Sequence, residues 1–323
     1  MNYLTLKGTD LTVSAIALGT MHFGTEKVPE AEARRQLDAF LGNGGNFIDT
    51  ARIYGAWERG DAGYPLSEMV IGRWLWDRRN REKVVLSTKG AHPFLSSKDR
   101  MRLSAQDILS DLDKSLEHLR TDYVDIYFLH RDDATVPVSS ILETLEGARR
   151  QGKLRYYGCS NWTLGRMKEA EAYAREHSLE GFRVNQTWVC LPDISKDTIN
   201  DRTLVPMDRE MYSWESETGL PVMAYSSIAR GYLVRLSEGR ELTAHHLSSY
   251  ENASSRAISR RLSELGLDPL QASLQSLMRC PPFQIVPIVS FTDSRQMDAG
   301  LEAVGKPFPE ELREVWAMKK FTL

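Results

Sequence analysis

With 323 residues, 41 Lys and Arg against 44 Asp and Glu and a formal charge of −3, the chain lacks the basic stripe that a nucleic-acid surface requires. No run reaches the roughly 18 apolar residues of a membrane span, and the first residues lack the basic-then-apolar order of a signal peptide. Cys159, Cys190 and Cys280 are too few and too scattered for a disulfide framework or a CxxC metal site, which points to reduced cysteines in a cytoplasmic protein.

Lys7-Gly8-Thr9-Asp10 separates residues 3–6 from 11–13 and predicts a small hairpin. Residues 14–19 form an apolar strand. Residues 29–41 carry apolar positions at helical spacing, and Gly42, Gly44 and Gly45 stop that helix. Residues 47–49 make the next short strand. Helix and strand then alternate. Helices over 66–78, 104–119 and 138–151 precede strands ending at Lys89, at His130 and at Gly158. Helices over 163–176 and 208–218 precede strands at 183–186 and 221–225, and helices over 254–265 and 269–279 precede 284–288. Two more helices are expected at 293–304 and 309–321.

Eight short apolar strands separated by helices predict parallel β/α construction. Eight such units in this length favour a closed (β/α)8 TIM barrel, one α/β domain over 1–323, above an open doubly wound sheet. Long insertions follow two strands, at 188–206 and 231–252, and each reads as a solvated loop or as a lid over the rim. The second is polar and lacks apolar periodicity, which argues against a packed element and predicts a segment that is mobile until a ligand orders it.

Three strand ends carry ionisable groups. Asp49 ends the second strand, with Tyr54 five residues on, and Lys89 and His130 end the third and fourth. A free tyrosine, with a pKa of about 10, is a weak acid at neutral pH. A lysine ammonium beside it favours the phenolate, and an aspartate keeps that lysine charged and oriented. His130 can donate a hydrogen bond to a carbonyl oxygen. The set suits delivery of a proton to an oxygen that is becoming an alkoxide. On these residues alone two other readings stay open: Asp49 and Lys89 as a structural ion pair, and Lys89 as the Schiff-base lysine of an aldolase with Tyr54 as proton shuttle. His22 is expected near the rim, His92 just past Lys89, and His118 and His177 on helix surfaces. His245-His246 has no carboxylate spacing to make a metal site.

Asp49-Thr50-Ala51 with Tyr54, Ser87-Thr88-Lys89 and Leu129-His130 are followed by Gly158-Cys159-Ser160-Asn161-Trp162, Asn185-Gln186 and Ala224-Tyr225-Ser226-Ser227-Ile228-Ala229-Arg230-Gly231. In this order and spacing the chain resembles the aldo-keto reductases. The resemblance implies NAD(P)H-dependent carbonyl reduction by Asp49, Tyr54, Lys89 and His130, with the hairpin closing the barrel bottom. It also implies an extended nicotinamide cofactor across the barrel mouth, although no Gly-x-Gly-x-x-Gly or Walker-type loop is present. Ser160, Asn161 and Gln186 would clamp its carboxamide, with Gly19, Thr20, Met21 and Asp49 beside them. Tyr225 would stack on the nicotinamide, and Ser226, Ser227, Ile228, Ala229, Arg230 and Gly231 would hold the pyrophosphate. After the eighth strand, Arg295 with Ser290, Thr292 and Gln296 would contact an adenosine 2′-phosphate. Here the chain departs from the family pattern: Asp293 would oppose a phosphate if turned inward, and Ala299-Gly300 lack the adenine-holding side chains. A modest preference for NADPH, with NADH usable, is the expectation.

Met21, Trp57, Trp162 and Trp188 are expected on rim loops, walling a substrate pocket with His130 and Arg131. Trp74 and Trp76 sit on a helix and read as packing residues. Aromatic walls with the polar fringe Arg131-Asp132-Asp133 suit a small, sugar-like carbonyl compound. The resembled family also contains non-catalytic regulatory subunits, but the intact set of four favours an enzyme. Self-association is left open.

Overall fold

A computed structural model of the chain describes residues 1–58, 64–97 and 100–321. The hairpin pairs β1 (Tyr3–Thr5) with β2 (Thr12–Ser14) antiparallel. Eight parallel strands then close a barrel: β3 (Ala17–Gly19), β4 (Phe47–Asp49), β5 (Val85–Gly90), β6 (Val124–Leu129), β7 (Leu154–Ser160), β8 (Phe182–Trp188), β9 (Val222–Tyr225) and β10 (Ile285–Val289), with β10 pairing back onto β3. Successive strands up to β9 are linked through α1 (Glu30–Gly42), α2 (Leu66–Arg78), α3 (Ala105–Leu119), α4 (Val138–Arg150), α5 (Leu164–Glu176) and α6 (Arg209–Thr218). Between β9 and β10 lie α7 (Tyr232–Ser237), α8 (Ala244–Ser249), α9 (Ala253–Glu264) and α10 (Pro269–Arg279). Two helices follow β10: α11 (Ser294–Gly305) and α12 (Leu312–Ala317). This is the (β/α)8 barrel expected from the spacing.

The helix starts follow from side-chain capping. Ser104, Thr163, Asp208, Asp268 and Asp293 each accept a hydrogen bond from a first-turn amide of the helix they precede. Pro269 adds a preset φ at the first position of α10. Gly219 ends α6 in the left-handed region, at φ +67.

Side chains alternate across a strand, so every second residue faces the barrel axis. Phe47, Val85, Ile126, Phe128, Val184, Met223, Val286 and Ile288 fill the interior and pack on Leu6, Leu11 and Val13 of the hairpin. The hairpin therefore plugs the bottom of the barrel. The other strand face, with Leu18, Ile48, Leu86, Tyr127, Leu129, Val222 and Ala224, meets the helices in the larger core. Gly19 is required where β3 approaches β10: a Cβ there would sit 2.6 Å from Ser290 Oγ and 2.7 Å from Ile288 Cγ2.

Three expectations are corrected. The last helix is Leu312–Ala317 rather than the whole of 309–321. His118 is half-buried, its Nδ1 3.9 Å from the buried Glu68, whereas His177 does lie on the surface, stacked on Tyr173. The second insertion is a packed element. Tyr232, Leu233, His246 and Tyr250 are buried in it, and the Ser249 carbonyl accepts from Ser195 N of the first insertion at 2.9 Å. His246 fastens α8 at both ring nitrogens: Nδ1 accepts from Thr243 N at 3.1 Å and Nε2 donates to the Arg230 carbonyl at 3.1 Å. Among the described residues, no helix is long and apolar enough to cross a membrane.

Candidate active site

Strand alternation places the candidate residues. Asp49 is two residues beyond the inward-facing Phe47, His130 two beyond Phe128, Gln186 two beyond Val184 and Tyr225 two beyond Met223. Lys89 stands two beyond Ser87, and Ser87 two beyond Val85. The next inward layer above an apolar plug is thus polar, at the C-terminal end of the strands.

Lys89 Nζ is the hub of this layer. Its three donors reach Asp49 Oδ2 at 2.6 Å, the Thr50 carbonyl at 2.7 Å and Tyr54 Oη at 3.2 Å. Asp49 Oδ1 accepts from Ser87 Oγ at 2.9 Å and Gln186 Nε2 at 3.0 Å. Burial works against the ammonium of Lys89, yet Asp49 and Tyr54 outweigh it and hold the pKa above the ordinary lysine value. A Schiff-base lysine must be neutral to attack a carbonyl, so this geometry works against the aldolase reading.

For Tyr54, burial is the largest influence and raises the phenol pKa; the Lys89 ammonium lowers it by less. Lys89 favours the phenolate as expected from the sequence, but desolvation of the anion outweighs it and the net shift is upward. Tyr54 is a phenol, proton in place, at neutral pH. His130 packs edge-on to it at 6.0 Å between ring centroids. Burial first, then His92, Arg131 and Lys89, push His130 well below the usual imidazole range, so it is neutral. Its Nδ1 is buried without a hydrogen-bond partner among the described residues.

Other expected contacts divide. Ser160 and Gln186 are buried at the rim with bonding capacity to spare, as developed below. Asn161, at φ +60, is fully engaged: Nδ2 donates to the His130 carbonyl and Ser160 Oγ, and Oδ1 accepts from Tyr225 Oη at 2.7 Å and Val205 N. It braces the rim. Ser227 Oγ is spent on the Ile288 carbonyl at 2.7 Å, and Thr20 Oγ1 donates to the Asp49 carbonyl at 2.9 Å. Arg230 and Arg295 are exposed, with no carboxylate partner among the described residues. Asp293 caps its own helix: Oδ1 accepts from Gln296 N at 3.0 Å, and Gln296 Oε1 accepts from Thr292 N, the residue before the cap.

The aromatic wall also differs from expectation. Met21 and Trp57 are exposed, and Trp57 meets His22 edge-on at 6.0 Å. Trp162 does not line the mouth. It is buried against Phe182 at 4.9 Å with the Arg166 guanidinium over its ring, because the left-handed turn at Asn161 swings the chain outward after β7. Trp188 is buried behind Tyr225 and stacks on His245 at 8° between planes. Arg131 is tied to the His130 carbonyl, to Thr203 Oγ1 and to Asp201, anchoring the first insertion. Trp74 is buried on Asp38, and Trp76 is exposed. Sequence reading gave Ser87 no role, although its hydroxyl bonds Asp49; its place two residues before Lys89 was the available signal.

A model of the Aldo/keto reductase family matches residues 15–317. The chain belongs to that family. The uncharacterized oxidoreductase YrpG of Bacillus subtilis (strain 168) is 37% identical over 238 residues, 72% of this chain and 68% of that protein. Norsolorinic acid reductase stcV of Emericella nidulans is 27% identical over 93% of this chain and 76% of its own. The fold matches the holo form of aldo-keto reductase AKR11C1 from Bacillus halodurans with a TM-score of 0.74 and 24% identity, covering 98% and 95% of the two chains. As an aldo-keto reductase the chain is an oxidoreductase, of a family that uses nicotinamide cofactors on small carbonyl compounds.

Two polar groups at the rim of this aldo-keto reductase have hydrogen-bonding capacity that would suit a carboxamide. Asp49 carries acceptors only, so Gln186 must turn its NH2 toward Asp49, leaving Oε1 as an acceptor. Ser160 Oγ accepts from Asn161 Nδ2 and keeps its own proton free to donate. One acceptor and one donor from adjacent strands match the NH2 and oxygen of a nicotinamide carboxamide.

Proposed function

We propose that this aldo-keto reductase reduces a small aldehyde or ketone with NADPH, and that Asp49, Tyr54, Lys89 and His130 carry the chemistry. The observation that supports this most is the Lys89 ammonium, with Asp49 on one side and Tyr54 Oη on the other. A nicotinamide held here would supply the hydride for the carbonyl carbon. Tyr54 gives its proton to the carbonyl oxygen as negative charge develops there. Lys89 then faces a forming phenolate, which its charge stabilises, and Asp49 keeps Lys89 protonated and aimed. His130, neutral, donates a hydrogen bond to the same oxygen and helps set its position.

Ser160 and Gln186 hold the carboxamide, and the Tyr225 ring offers a flat surface on the neighbouring strand. Arg230 and Arg295 meet the pyrophosphate and the 2′-phosphate. Arg295 is exposed with no carboxylate partner among the described residues, and Asp293 Oδ1 is engaged in its own helix cap, which supports NADPH over NADH. Loss of reduced-cofactor absorbance with a panel of aldehydes, ketoses and uronates tests the reading. Turnover with at least one carbonyl class is expected, and no oxidation of either NADPH or NADH across the panel would contradict it.

A further inference from the structure

Directly after Lys89 the chain turns through Gly90 and Ala91, the latter at φ +60, and presents His92 beside His130. The two imidazole centroids are 4.9 Å apart, at 64°. His92 is not loosely held. Ala91 N donates to Asp111 Oδ2 at 2.9 Å, and Arg102 binds that same carboxylate at 2.7 and 3.0 Å while donating to the His92 carbonyl at 3.3 Å. The Arg102 guanidinium also covers Phe94, 4.0 Å from its ring centroid. This clamp fixes the loop.

The hydrogen bond of the ring then fixes the tautomer. His92 Nδ1 lies 2.7 Å from the Pro93 carbonyl, and a carbonyl oxygen only accepts. Nδ1 therefore carries the proton, and Nε2 is left with its lone pair. Burial first, then the Arg131 guanidinium, lower the pKa of His92 to about 4, so the lone pair is present at neutral pH. Nε2 has no hydrogen-bond partner among the described residues. An acceptor thus sits on the ring packed against His130, and His130 in turn packs edge-on to Tyr54.

We propose that His92 is a specificity residue, whose Nε2 accepts a hydrogen bond from a hydroxyl on the carbon adjacent to the substrate carbonyl. The inference rests on the reductase reading, in which the carbonyl oxygen sits at Tyr54 and His130. An oxygen on the neighbouring carbon is the next polar atom within reach of a ring 4.9 Å from that of His130. An ammonium donor is disfavoured there, because the Arg131 and Arg102 guanidinium groups act on His92 against the opposing Asp201 carboxylate. The substrate class is α-hydroxy aldehydes and ketones.

The test compares 2-hydroxypropanal with 2-methoxypropanal, which keeps the electron-withdrawing oxygen and lacks the donor. For the unmodified protein the hydroxy compound should be favoured about tenfold in kcat/KM, a ratio expected for one hydrogen bond. In His92→Phe the ratio should fall to about one, and in His92→Gln, which restores an acceptor, part of it should return. Calorimetric binding of 2-hydroxypropanamide and 2-methoxypropanamide, which are not reduced, should show the same order in the same three proteins. A ratio within twofold in the unmodified protein, or an unchanged ratio in both variants, would overturn the assignment. Absence of NADPH and NADH oxidation with both aldehydes and across the wider carbonyl panel, while the two amides still differ in affinity, would instead sink the reductase reading.

Discussion

Lys89 Nζ lies 2.6 Å from Asp49 Oδ2, with the two side chains 0% and 2% exposed. A buried pair of this kind is a weak source of net stability, but removing one partner strands the other as an uncompensated charge. Lys89→Met should therefore cost roughly 3–5 kcal/mol in urea denaturation as well as most of the turnover. Lys89→Met combined with Asp49→Asn should be less destabilised than the sum of the two single changes. Strict additivity, or a loss under about 1 kcal/mol for Lys89→Met, would show that the pair is not electrostatically coupled in the way its geometry implies.

A second buried carboxyl gives stability a pH dependence. Glu215 on α6 accepts from Asn185 Nδ2 at 2.6 Å through Oε1, while Oε2 has no partner among the described residues. Burial raises its pKa to about 8 from 4.5, against the opposing Asn185 bond. The folded protein keeps this proton where the unfolded chain has lost it. Its contribution to stability is thus complete below about pH 4.5 and lost as pH rises through 8. Relative to Glu215→Gln, the unmodified protein should lose roughly 1–3 kcal/mol between pH 5 and pH 8 in urea denaturation. Parallel pH profiles for the two proteins would mean that Glu215 is ionised in the fold.

The strand and helix pattern was legible because buried parallel strands and amphipathic helices each impose a period on the sequence. Asp49, Lys89, His130 and Gln186 could be placed on one rim because a strand end fixes where a side chain emerges. The second insertion was not legible: α7 and α8 have six residues each, too few for a helical period to show. Their burial depends on His246 and Tyr250 meeting partners remote in sequence. Trp162 was misread for a local reason, the left-handed backbone at Asn161. Arg131 was misread for a distant one, since Asp201 and Thr203 take its donors. Desolvation of Tyr54 is likewise a property of the packed site and has no signature in the residues alone.

The packing of α8 predicts that the amides of His246–Ser249 are protected from hydrogen exchange in cofactor-free protein, by at least about tenfold over unfolded rates. His246→Ala should remove much of that protection, since it severs the bonds to Thr243 and to the Arg230 carbonyl. Exchange at unfolded rates in the unmodified protein would restore the picture of a loop that only a ligand orders.

Arg295 is exposed, and the neighbouring Asp293 is occupied at its helix cap. A charge-assisted hydrogen bond contributes roughly 1.5–3 kcal/mol, so Arg295→Ala should weaken NADPH binding about tenfold to a hundredfold and leave NADH nearly unchanged. Fluorescence titration with both cofactors decides this. Equal losses for both would mean that the arginine does not read the 2′-phosphate.

Single-turnover oxidation of bound NADPH after mixing with a reducible aldehyde tests whether Tyr54 supplies the proton. The unmodified protein should react at a rate that is flat across neutral pH, because burial keeps Tyr54 protonated and His130 neutral there. Tyr54→Phe, binding NADPH with unchanged affinity, should react about 10²- to 10⁴-fold more slowly. A Tyr54→Phe protein that oxidises NADPH within a few-fold of the normal rate would contradict the account.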